Sequence, residues 1–208
     1  MNGKRERGSR EQGSQGHDRR PAEKARGQRD RESRRFNEAL KFVLRWEGGV
    51  SHDPADRGGL TKQGVTQKTY DRYRTREGKP PQSVRSMTAK EVREIYRRDY
   101  WDRSGAGSLS PKLGLVHFDT AVNMGPRRAS QFLKTVNGLP HRQAVTEYLE
   151  KRDAFYRRLA ERKPSQRKFL KGWLRRTAAL RGEVSVERPV SRPRIRKRSA
   201  PRMAERGR

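Results

Sequence analysis

The sequence predicts a mainly α fold with one small β-hairpin. Apolar residues recur at helical spacing through most of residues 36–177, and capping residues stand where those runs begin and end. Only the stretch 50–65 breaks the rhythm, with paired glycines and β-forming residues. No internal repeat is visible, so the helices pack around one core with the β element at its edge.

The first predicted helix carries Phe36, Ala39, Leu40, Val43, Leu44 and Trp46 on one face, and Gly48 is the residue expected at its stop. Gly48-Gly49 permits a tight exit, while Asp53-Pro54 and Gly58-Gly59 mark turns that fold the chain back as a hairpin against that helix. Thr66 caps a helix over about 67–76, which ends at Gly78, and Pro80-Pro81 forces an extended connector. Thr88 and Glu91 form a capping box inside a Met87/Val92 staple, and Val92, Ile95, Tyr96 and Tyr100 continue as one stripe to near Gly105. Ser110-Pro111 opens a helix through Leu113, Val116 and Ala121 to Met124. Gly125 stops it, and Pro126 starts another that runs to Gly138. The longest helix is expected over about 140–161, and Phe169, Leu170, Trp173 and Leu174 make a short final one after Pro164.

The chain has 208 residues, is 29% hydrophobic and carries a net charge of +29. Residues 1–35 hold 12 Lys or Arg against 6 acids, and residues 183–208 hold 9 against 3, so both stretches read as basic disordered tails with no apolar face. The two tails account for +6 each, which leaves +17 on the folded part. Such charge attracts polyanions, including nucleic acid and anionic cell-surface polymers. Nucleic acid is not expected as the main partner, because there is no cysteine to build a zinc module and no aromatic RNA-binding signature. The absence of cysteine also removes disulfides, so folding is compatible with reducing and oxidising compartments. No apolar run follows Met1, so neither a signal peptide nor a membrane anchor is expected.

Glu47 sits at the seam between the first helix and the glycine-rich turns. A carboxylate there faces the negative end of the helix dipole, an arrangement that favours retention of a proton, which is what a general acid needs. Asp56 and Thr61 follow in the predicted hairpin, and each reads equally well as turn or strand chemistry or as a group that positions water, with Asp56 also able to stabilise positive charge. Asp119 and Asn123 share a helix face, either lining a cleft or holding backbone near Gly125. Tyr100 and Trp101 are either a stacking platform or core. His52, His117 and His141 are too scattered for a metal site, and no cofactor is expected.

The pattern Glu47-Gly48-Gly49, then Pro54-x-Asp56-x-Gly58-Gly59-x-Thr61-x-x-Gly64-Val65-Thr66, resembles the N-terminal signature of glycoside hydrolase family 108, a group of N-acetylmuramidases that includes phage endolysins. The runs Ile95–Trp101, Phe118–Gly125 and Phe169–Arg176 agree with it, so the resemblance spans about Phe36 to Thr177. A Glu, an Asp and a Thr at nearly this spacing also occur in phage-type lysozymes, with the Asp-to-Thr gap one residue shorter here. The resemblance implies a lysozyme-like fold and cleavage of peptidoglycan with Glu47 as the catalytic residue. Asp56 and Thr61 would then assist water or the charge at the anomeric carbon, and Tyr100, Trp101, Asp119 and Asn123 would contact substrate.

On this reading residues 36–125 form the catalytic domain. Residues 126–182 form a helical segment shortened relative to the family's peptidoglycan-binding part, since the Asp-Gly and Gly-Pro-x-Thr turn pairs expected there are missing. The basic tails would supply attraction to anionic cell-wall polymers or the outer-membrane surface. A wall enzyme made in the cytoplasm without a signal would reach its substrate through a holin-type lesion, within a virion or by a dedicated route. Two other readings stand beside hydrolysis: a lytic transglycosylase acting on the same bond, and a non-catalytic basic protein associated with virions or nucleic acid.

Overall fold

A computed structural model describes residues 20–48, 50–52 and 60–185, and among these the helical rhythm of the sequence becomes seven α-helices and a small sheet. The first helix, α1 (Arg20–Trp46), leads into three short antiparallel strands, β1 (Val50–His52), β2 (Leu60–Lys62) and β3 (Val65–Thr66), in the order β1-β2-β3. The mainly α expectation therefore holds, with a third short strand added to the expected hairpin. Helices α2 (Gln67–Arg76) and α3 (Ala89–Tyr96) follow, and α3 runs directly into a π-helical turn over Arg97–Asp102. Then come α4 (Pro111–Met124), α5 (Pro126–Lys134), α6 (His141–Arg162) and α7 (Arg167–Ser185).

Local capping explains the starts of two of these helices. The Thr66 hydroxyl accepts from the Thr69 backbone N–H at 3.2 Å, and Thr88 and Glu91 satisfy each other's orphan groups as a complete capping box. Helix α4 is the spine of the molecule. It packs against α1, α5, α6 and the π-turn, and its Val116, Phe118 and Ala121 are wholly buried. Phe118 meets Phe36 of α1 and Trp101 of the π-turn edge-to-face at 5.9 and 5.3 Å, which ties the first helix to the middle of the chain.

Two boundaries differ from the sequence expectation. Residues 20–35 are helical, not part of a tail, because that end of α1 is fixed by distant partners. Glu32 accepts from Trp101 Nε1 at 2.6 Å and from Arg97, and Arg35 donates to the carbonyls of Gly107 and Leu109. At the other end α7 continues to Ser185 with Leu180 and Val184 buried, where a short helix was expected. The remaining tail residues, 1–19 and 186–208, lie outside the described residues.

Candidate active site

Glu47 is the residue that leaves α1, its backbone N–H still bonded to the Val43 carbonyl at 3.2 Å. The β2–β3 turn lies directly against its side chain. Gln63 and Gly64 both have positive φ, +49° and +74°, the pair that a two-residue type I′ hairpin turn requires. Tyr96 of α3 pins this turn by donating from Oη to the Gln63 carbonyl at 2.8 Å. A Cβ placed on Gly64 would lie 2.5 Å from Glu47 Oε2 and 2.7 Å from Tyr96 Oη, so only glycine lets the turn and the carboxylate come this close.

The other oxygen of Glu47 is held from the far end of the chain. Arg176 of α7 donates from Nη1 to Glu47 Oε1 at 2.7 Å, with the Glu47 side chain 18% exposed and Arg176 almost wholly covered. Arg176 is itself fixed by Asp119 of α4, with Nε donating to Oδ1 at 2.9 Å. Its Nη2 lies 2.8 Å from the same oxygen, close enough for ion pairing but off the hydrogen-bond line. Asp119 Oδ2 in turn accepts from Arg152 of α6 at 2.6 Å, and both of those side chains are fully buried. The result is a chain of alternating charges, Arg152–Asp119–Arg176–Glu47, with its last member at the surface. Burial alone would lower the Arg176 pKa, but the carboxylates of Asp119 and Glu47 outweigh it and the net shift is upward, so the guanidinium stays charged.

Tyrosines line the same region. The Tyr96 hydroxyl is pushed well above its ordinary value, chiefly by burial and next by the charge of Glu47. Tyr100 is half-buried with its ring 5.5 Å from that of Tyr96, and its hydroxyl is also raised, by burial first and then by the charges of Asp99 and Glu47. Both remain protonated at neutral pH and can donate hydrogen bonds beside the carboxylate.

The site residues expected from sequence separate into groups. Thr61 is in β2, opposite Ser51 and Thr66 in the ladder, on the sheet whose next turn touches Glu47. Asp56 lies outside the described residues. Trp101 does not form an open platform: it is 1% exposed, because the π-turn carries its indole inward onto Phe36 and Phe118. Asp119 is 0% exposed and binds arginine, so it positions the site from behind and does not meet substrate. Asn123 accepts from Tyr156 Oη, and Tyr156 stacks on Trp173 at 4.8 Å, so Asn123 belongs to the α4–α6–α7 scaffold. Sequence reasoning missed Arg152, Arg176, Tyr96 and Gly64. The one available signal for Arg176 is the run Gly172-Trp173-Leu174-Arg175-Arg176, which carried part of the family resemblance.

Comparison with known proteins relates the chain to peptidoglycan-acting families. Residues 40–125 match the glycosyl hydrolase 108 model, and residues 119–178 match a predicted peptidoglycan domain, so a recognisable form of that second part is retained despite its short connections. The chain is similar to the solved structure of Brucella abortus SagA, with a TM-score of 0.60 and 25% identity over 72% of this chain and 93% of SagA. No curated protein matches it. Glu47, Thr61, Gly64 and Tyr96 fall in the first matched segment and Arg152 and Arg176 in the second, with Asp119 in the overlap, so the part of the chain that is similar to the glycosyl hydrolase 108 family is residues 40–125.

Proposed function

We propose that this peptidoglycan hydrolase cleaves the β-1,4 bond between N-acetylmuramic acid and N-acetylglucosamine, with Glu47 as the general acid. The observation that carries the reading is the two-sided grip on Glu47. Arg176 occupies Oε1, which leaves Oε2, beside the Gln63-Gly64 turn, as the oxygen able to carry a proton to the leaving group. A glycosidic oxygen delivered there would be protonated as the sugar develops oxocarbenium character. Thr61 and Asp56 are assigned to water or to the developing charge, and Tyr100 to a hydrogen bond with the sugar. The wall is the site of action, and no helix among the described residues is long and apolar enough to cross a membrane.

One observation favours a second reading. Among the described residues of the site, Glu47 is the only carboxylate not enclosed by arginines, because Asp119 is buried between Arg152 and Arg176. A single acid suffices for a lytic transglycosylase, in which the muramic acid 6-hydroxyl replaces water. The test is to digest purified sacculi with the parent protein and with Glu47→Gln, then analyse the soluble fragments by mass spectrometry. Reducing muramic acid ends support hydrolysis, and 1,6-anhydro ends support the transglycosylase. Equal release by the Gln variant removes Glu47 from the mechanism.

A further inference from the structure

The hairpin formed by α6 and α7 ends in a tip that the catalytic reading does not use. Over residues 157–175, eight Lys or Arg stand against one acid, Glu161, and all eight are exposed. Arg158 and Arg162 lie one turn apart on α6, and Arg167, Lys171 and Arg175 form a stripe along α7. Like charges at this spacing repel, so the arrangement costs helix stability unless an anionic surface faces it. Arg157, Arg158, Arg162, Lys163, Lys171 and Arg175 form no ion pair among the described residues, in contrast to the paired arginines around Glu77, Glu91 and Asp99.

Amid these cations sits Phe169, 45% exposed and the one large apolar side chain left exposed among the described residues. The ammonium of Lys168 lies 5.0 Å from the ring centre, and the Trp173 ring is 5.9 Å away. Leu170, Trp173 and Leu174 behind it are only half-buried. We propose that this tip binds an anionic phospholipid bilayer, with Phe169 entering the headgroup–acyl boundary and the surrounding Lys and Arg meeting lipid phosphates. An apolar wedge ringed by cations suits an interface that is apolar below and anionic above. A nucleic acid would satisfy the cations, but the Phe169 ring is already engaged by Lys168 and Trp173, which leaves it poorly placed for base stacking. The tip would hold the enzyme at the membrane that borders its wall substrate.

The test is vesicle flotation of the full chain with phosphatidylcholine vesicles, with and without phosphatidylglycerol, alongside retention on duplex DNA. Binding should require phosphatidylglycerol. Phe169→Ser should weaken it about tenfold, and Phe169→Leu should restore most of it. The combined variant Arg162→Gln, Lys163→Gln, Arg167→Gln, Lys168→Gln should weaken it on the order of a hundredfold at low salt. Circular dichroism and turnover on soluble glycan fragments should be unchanged in all of these. Equal binding to both vesicle types, or parental vesicle binding by the tip variants, overturns the proposal. Tip-dependent retention on DNA without tip-dependent vesicle binding overturns it in favour of nucleic acid.

Discussion

Replacing Arg176 by lysine tests whether the buried ion chain sets the position of Glu47, the carboxylate proposed as the acid. The guanidinium spans two anions, with Nη1 at 2.7 Å from Glu47 and Nε at 2.9 Å from Asp119. Lysine keeps the charge but offers one nitrogen, so it serves one carboxylate well and leaves the other short of a partner. Loss of one charge-assisted hydrogen bond at a nearly covered site costs about 1.5–3 kcal/mol. In a folded unit of this size that lowers Tm by roughly 2–4 °C per kcal/mol. The catalytic cost should be larger, because a carboxylate displaced by about 1 Å loses on the order of a hundredfold in rate. The measurement is kcat and KM on soluble glycan fragments, together with Tm by scanning calorimetry. The expected pattern is a Tm lower by several degrees, kcat down about a hundredfold and KM changed little, whereas Arg176→Met should cost more stability because it leaves buried Asp119 with Arg152 alone. A lysine variant with parental kcat would show that Arg176 serves the fold and not the acid.

Gly64→Ala should lower both stability and turnover, since its φ of +74° is strained for alanine and the new methyl would lie 2.5 Å from Glu47 Oε2; a variant with parental turnover would remove the turn from the site. Asp56→Asn should reduce turnover on the order of a hundredfold with the fold retained, and near-parental turnover in a folded variant would reduce Asp56 to a turn residue. His117 is buried, with Nε2 3.0 Å from the Ser104 carbonyl and Nδ1 3.0 Å from Tyr148 Oη, and burial lowers its pKa below the ordinary 6.5 despite the bond to Ser104. The unfolded chain then binds the proton more readily, so the contribution of His117 is fully present above 6.5 and is lost as pH falls from there through the folded value. The slope of Tm between pH 7 and pH 5 should flatten in His117→Gln, and an unchanged slope would assign the acid sensitivity elsewhere.

What the sequence reveals here is what short-range physics decides. The starts of α2 and α3 are legible because Thr66, Thr88 and Glu91 satisfy helix-end donors within three residues, and the Gly125-Pro126 break between α4 and α5 acts just as locally. Glu47 is legible because the helix stop and the glycines sit beside it in the chain. The first half of α1 is not, because its exposed face is polar and its order depends on Glu32 meeting Trp101 and Arg35 meeting Gly107 and Leu109. Trp101 is undecided for a related reason: an aromatic on a helical stripe fits a stacking platform or the core, and only the π-turn, which the sequence does not signal, carries it inward. Asp119 is singled out by the sequence for the right helix face but the wrong role, since its arginine partners lie on α6 and α7.

The separation of 129 residues between Glu47 and Arg176 bears on how the two matched segments relate. A wall-binding module appended to a catalytic domain would meet it across a hydrated, exchangeable surface. Here the junction is a buried ion chain, with Asp119 inside the overlap of the two segments and its arginine partners in the second alone. Buried ion pairs seldom add net stability over apolar packing, but removal of one partner leaves an uncompensated charge that the interior does not tolerate. A chain cut after Gly125 would leave Asp119 without either arginine and Glu47 without its clamp. Arg152 and Arg176 of the second segment therefore help to position Glu47, whatever contact that segment also makes with glycan, and changes at these two arginines should be read first as changes to the candidate site.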